Sequence, residues 1–273
     1  MSSPIRAVPV AALAFAALLA ACGGGDSGRA PPVAAAARPP EPYIREAAGE
    51  DLAVSVRIPA VARALPDVGD RLVAEAEAEV ADVARRAAER RRENLALFRP
   101  SEIWIEWTVA YDGPGALSLL AETFVDEGGA NPHETRASVL YDRDLGREAG
   151  FADLFADPRP SGAAMIAVSE AAFAAWAEVS PSGGRNLALI DERTLVDVRE
   201  ALRPRASSFA SFALTPDARD SDRVAAVTLL FPEGALGPRS DGELRLDIPA
   251  AVLAPHLAPA WAARFVEAPG AEQ

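Results

Sequence analysis

Lysine is absent from this chain, so all 27 basic residues are arginine. With abundant alanine, this reads as a compositional bias, and no function is drawn from it. Cysteine occurs once, at Cys22, which excludes an internal disulfide. Histidine occurs only at His133 and His256, leaving little choice of general base. No Gly-x-Ser-x-Gly elbow is present to expose a serine nucleophile. A metal site needs three or four ligands in a fixed geometry, and one histidine among loop acids falls short of that. Neither a metal nor a cofactor is therefore expected. Glycine-rich segments at 23–25, 128–129 and 183–184 do not open a helix after a strand, so nucleotide phosphate binding lacks its usual cradle. Basic grooves are missing too. A net charge of −13 repels nucleic-acid phosphates, and no nucleic-acid partner is expected.

The first 21 residues are organised differently from the rest. Arg6 precedes an uncharged run from Val8 to Ala21, which closes on Leu19-Ala20-Ala21 before Cys22. A charged start, a short apolar centre and a small-residue end describe a secretory signal. The run is short for a bilayer span, which takes about 20 apolar residues. Leu-Ala-Ala-Cys resembles the bacterial lipobox, in which a peptidase cuts before a cysteine that becomes acylated. Cys22 is thus expected to carry the lipid, with several chains holding the protein to a membrane where one would not. Removing the signal takes the net charge from −13 to −14, because Arg6 is its only charge. Gly23 is not the aspartate of inner-membrane retention. The expectation is a protein anchored in the cell envelope, facing the periplasm, at the outer membrane. The expected organisation is a signal over 1–21, a lipidated cysteine and flexible Gly/Pro/Ala linker over 22–48, and folded regions over 49–158 and 159–267.

Within the folded part, Leu52, Val54, Val56 and Ile58 alternate as in a strand ended by Pro59. From Asp67 to about Leu97, Val68, Leu72, Ala76, Val80, Val83 and Ala87 fall on one helical stripe, with acids early and arginines late. The Arg90–Arg92 run suits either an anion or a solvated helix end. Residues 103–111 and 117–125 alternate around Asp112-Gly113-Pro114-Gly115 and predict an antiparallel hairpin. Trp104 and Trp107 fall on opposite faces of its first strand, one towards the core and the other free to meet a partner or to pack. A further strand is predicted at 137–142, helices at 164–179 and 187–202, and strands at 209–214, 224–231 and 243–248. A short helix follows Pro249. Separate runs of helices and antiparallel strands make an α+β fold.

Several segments resemble the DUF4163 domain: Asp112-Gly113, Leu117-Ser118-Leu119, Gly128-Gly129-Ala130-Asn131-Pro132, Tyr141-Asp142-Arg143-Asp144-Leu145-Gly146 and Leu154-Phe155. The later stretches Phe212-Ala213-Leu214-Thr215-Pro216-Asp217, Leu230–Pro238 and Leu244–Leu253 resemble its usual partner, DUF3298. Relatives include the sensor domain of a lysozyme-responsive anti-sigma factor, a module attached to a peptidoglycan deacetylase, and stand-alone lipoproteins. The resemblance implies binding in the envelope rather than catalysis. The family commonly places His after Gly-Gly-Ala; here Asn131 stands there and His133 follows. The anti-sigma role is not expected to transfer, since only Met1–Ala7 precede the apolar run.

The candidate binding loop is Asp126, Gly128, Gly129, Asn131, His133 and Glu134, polar and placed at a hairpin end, where it serves either as a site or as a plain turn. The expected function is non-catalytic binding of a basic protein such as lysozyme, or of cell-wall glycan. The competing expectation is an accessory or catalytic module of peptidoglycan processing. That reading requires a concave site gathering His133 with at least two carboxylates.

Overall fold

A computed structural model describes residues 40–129, 132–179, 190–238 and 242–267. Cys22, Asn131, the expected linker up to Pro39 and the start of the helix expected at 187 lie outside the described residues. Strand β1 (Tyr43–Ala48) occupies the last six residues of the stretch expected to be linker. It pairs antiparallel with β2 (Leu52–Ile58). The sequence concealed it because its residues are almost all solvent-facing and carry no apolar alternation.

After β2 come the short helix α1 (Ala60–Arg63) and the long helix α2 (Val68–Glu93). Every residue of the expected stripe, from Val68 to Ala87, is buried. The helix stops before Leu97 because its next inward positions are Arg91 and Asn94, leaving nothing apolar to bury; Leu95 and Leu97 are exposed. This crossover sets β3 (Ser101–Gly113) parallel to β2. Strand β4 (Ala116–Asp126) returns antiparallel through the predicted turn, followed by β5 (His133–Asp142) and the two-residue β6 (Arg147–Glu148). Together they form a six-stranded sheet in sequential order.

Helix α3 (Ala163–Glu178) carries the fully buried Trp176, whose Nε1–H donates to the Leu236 carbonyl at 2.7 Å. Helix α4 (Glu192–Ala201) starts where the Asp191 side chain accepts the Thr194 N–H. Strands β7 (Phe212–Pro216), β8 (Val224–Phe231) and β9 (Leu244–Pro249) form a second antiparallel sheet. Helices α5 (Ala250–Leu253) and α6 (Pro259–Ala262) complete the order of an α+β fold. Among the described residues no helix is long and apolar enough to cross a membrane.

The sheet strands have two apolar layers. On one face, Val56, Ile103, Ile105, Trp107 and Leu119 pack under α2. A second cluster joins Tyr111 and Leu140 to Phe151, Trp176, Phe212 and Leu246. It crosses the boundary drawn at 158/159: the Phe151 ring lies 5.4 Å from Phe209 and 5.2 Å from Phe212. The buried Ser118 hydroxyl accepts the Leu214 N–H at 3.1 Å. Among the described residues, elements of both regions thus pack together.

Candidate functional site

The second layer covers only part of the large sheet's outer face. The register of β3, β4 and β5 decides what is left open. Trp104 pairs with Phe124, Glu106 with Glu122 and Glu102 with Asp126. Phe124 in turn pairs with Glu134, and Glu122 with Arg136. Paired residues share a face, so two half-buried aromatic rings lie side by side within a field of carboxylates. Trp107, three residues on, points the other way into the core, 8% exposed. Trp104, Phe124, Glu102, Glu122, Glu134 and Arg136 line a depression of about 330 Å³.

One wall of this platform is held by alternating charges. Arg136 contacts both Glu122 and Glu243. Arg245 reaches the same two carboxylates at 3.2 and 2.9 Å, tying β5 and β4 to β9. Burial and the neighbouring Arg245 press the Arg136 pKa downward. Its two carboxylate contacts argue the other way, and a guanidinium remains cationic at any physiological pH. By contrast, Glu102, Glu106 and Glu134 make no ion pair among the described residues, although Arg57, itself bound to Glu46, stands beside Glu106 in the β2–β3 register. The platform therefore carries uncompensated negative charge next to two aromatic faces, an arrangement that attracts cations through both charge and ring quadrupole.

Among the described residues of the 126–134 loop, the side chains do not converge on one point. The Asp126 side chain accepts the Gly128 N–H at 2.7 Å and closes a turn. Gly128 has φ +75°, and a Cβ there would come 2.8 Å from the Arg99 Cβ; Gly129 faces open space. His133 and Glu134 belong to β5, which begins four residues earlier than expected, so they face opposite sides. Glu134 joins the platform. His133 turns to the α2 side, where it lines a groove of about 370 Å³ with Glu75, Glu79 and the small side chains of Ala121, Thr123 and Ala137. Among the described residues no three His, Cys, Asp or Glu side chains are grouped to hold a metal. His256 sits in a 3-10 turn near the C-terminal end, and its carbonyl accepts the Ala156 N–H.

The arginine run of α2 is used internally. Arg86 and Arg90 both hold Glu127, Arg91 pairs with Glu50 and Asp51, and Arg92 donates to the Ala88 carbonyl. These contacts resolve the run in favour of a helix end tied to neighbouring strands. The aromatic pair Trp104/Phe124 was only half visible in the sequence. The alternation sets Trp104 and Trp107 on opposite faces without naming the open one, and the neighbour of Trp104 is 20 positions away and set by register.

No protein-family model matches the sequence, and no curated protein matches it. Solved structures do share its fold. One is a DUF3298 family protein from Pseudomonas aeruginosa PAO1, with 18% identity, a TM-score of 0.51, and coverage of 84% of this chain and 96% of that one. Another is a member of the same family from Bacteroides fragilis NCTC 9343, with 12% identity, a TM-score of 0.50, and coverage of 80% and 92%. At these identities the likeness is one of fold.

Proposed function

We propose that this chain is a non-catalytic binding protein of the cell envelope, related to DUF4163/DUF3298 proteins and lipid-anchored through Cys22 at the outer membrane. Its ligand is a basic partner protein such as lysozyme, held on the Trp104/Phe124 platform. The observation that carries the reading is the set of unpaired carboxylates, Glu102, Glu106 and Glu134, around two accessible aromatic rings. The fold shared with DUF3298 proteins supports the family assignment. An aromatic pair also suits a sugar ring of cell-wall glycan, but a glycan would not neutralise the surplus carboxylates, and this favours the cation.

Calorimetric titration of the full chain in detergent with lysozyme at low salt tests the proposal. Binding that weakens about tenfold in Trp104→Ala and falls steeply with salt is expected. No heat of binding at low ionic strength ends this reading.

A second reading, an accessory or catalytic module of peptidoglycan processing, rests on His133, Glu75 and Glu79 lining one groove. It requires peptidoglycan turnover by the full chain that disappears in His133→Ala. Equal turnover by parent and variant, or none by either, eliminates it.

A further inference from the structure

Strand β5 is an edge for most of its length. Among the described residues its outer neighbour is β6, which pairs with Tyr141 and Asp142 alone. The Ala149 N–H donates to the Leu140 carbonyl from that outer side at 2.8 Å. Backbone groups alternate along a strand, and the β4–β5 register runs from 116↔142 to 125↔133 without a shift. The N–H and C=O groups of Glu134, Arg136 and Ser138 therefore point outward like those of Leu140. Among the described residues no backbone group pairs with them.

Both flanks of this edge are hollow. On one side lies the groove under α2, lined by His133, Thr135, Ala137 and the carboxylates Glu75 and Glu79. On the other, Glu134 and Arg136 border both the platform depression and a second depression of about 380 Å³ bounded by Phe231, Glu233 and Glu243. An extended segment laid along β5 would send alternate side chains into the two hollows, the arrangement used in strand addition.

We infer that the β5 edge accepts an extended cationic segment of the partner as an additional strand. This rests on the basic-partner reading and specifies how that partner is gripped. Charge selects the occupant. Carboxylates outnumber bases in each hollow, so arginine or lysine at alternate positions is matched on either face. A second copy of this chain is disfavoured: antiparallel self-pairing centred on Arg136 would set Arg136 against itself, between molecules of net charge −13.

The test uses the full chain in detergent and the peptide Arg-Thr-Arg-Thr-Arg-Thr-Arg. Three results are expected together. The peptide binds and slows amide exchange at Glu134, Arg136 and Ser138, and its fully N-methylated form binds about tenfold or more weakly. Glu134→Pro, which removes one outward N–H where an edge strand tolerates proline, weakens binding well beyond Glu134→Ala, which removes only the charge. Circular dichroism verifies that both variants fold.

Equal binding of the N-methylated peptide without amide protection overturns strand addition and leaves the basic-partner reading standing. The same conclusion follows if lysozyme binds and the peptide does not. Protection of these amides that grows with protein concentration in the absence of peptide assigns the edge to a second copy and also overturns the inference. If neither lysozyme nor peptide binds, both readings fail.

Discussion

At the scale of single residues, Arg264 is the cation that fixes the C-terminal segment to the hairpin turns. Its side chain is 9% exposed and pairs with Asp142 (3% exposed) at 3.1 Å and with Asp144 at 2.7 Å. Its guanidinium lies 4.1 Å from the centre of the Trp261 ring. Asp142 also accepts the N–H groups of Asp144 and Leu145, so one carboxylate shapes the turn and receives the arginine. A Cβ on Gly115 would come 2.7 Å from the Arg264 Nε, so this turn needs glycine for close approach. Removing one member of a buried pair strands the other, at a typical cost of about 3–5 kcal/mol. Arg264→Met is expected to lose stability of that order in urea unfolding, and the Arg264→Met/Asp142→Asn double variant less. Equal losses in both would show that the buried charge is not the cause. Gly128→Ala forces an alanine into the left-handed region, costing about 1–2 kcal/mol, whereas Gly129→Ala in open space should stay within about 0.5 kcal/mol. The same unfolding curves check both.

At the scale of elements, legibility followed burial. The stripe of α2 and the alternation of β2 and β3 are readable because each element buries mainly one face, and apolar side chains then recur at the element's own period. The first half of β5, His133-Glu134-Thr135-Arg136, borders open hollows on both faces, so nothing apolar alternates and the strand read as loop. Strand β1 escaped notice for the same reason. The candidate site suffered most, because it is made by register. Glu134 is legible in the sequence, but its companions Trp104 and Phe124 come from two other strands and Glu243 from the residue before β9. The role of Arg90 is likewise set by Glu127, 37 positions away in the chain and beside it in space.

The 3-10 turn Phe151–Leu154 makes a pH prediction. The hydrogen bond from Arg147, aided by the Gly150 N–H, holds the Asp153 carboxyl below its ordinary range. A depressed carboxylate stabilises the fold at neutral pH, and the contribution is lost as pH falls through the lowered value. Asp153→Asn should therefore be less stable than the parent at pH 7, and the two stability curves should converge in acid. A difference that persists unchanged into strong acid would rule out this cause.

At the scale of the whole molecule, the proposed membrane anchor would carry an acidic body that, among the described residues, leaves an aromatic and carboxylate surface uncovered. Helix α2 closes one sheet face and the second sheet closes part of the other, which leaves the platform and the β5 edge adjacent. Lipid on Cys22 would hold this surface near the envelope, where basic proteins are met. Loss of radiolabelled palmitate incorporation in Cys22→Ser is expected, and a parent chain that never takes up the label would remove the anchor from the account. The proposed seat of the partner is the platform, and carboxyl footprinting of the full chain with and without lysozyme at low salt locates it. Glu102, Glu106 and Glu134 are expected to become protected, while Glu192, on α4, keeps its reactivity. Bound lysozyme that leaves all three platform carboxylates as reactive as in the free chain would contradict that placement.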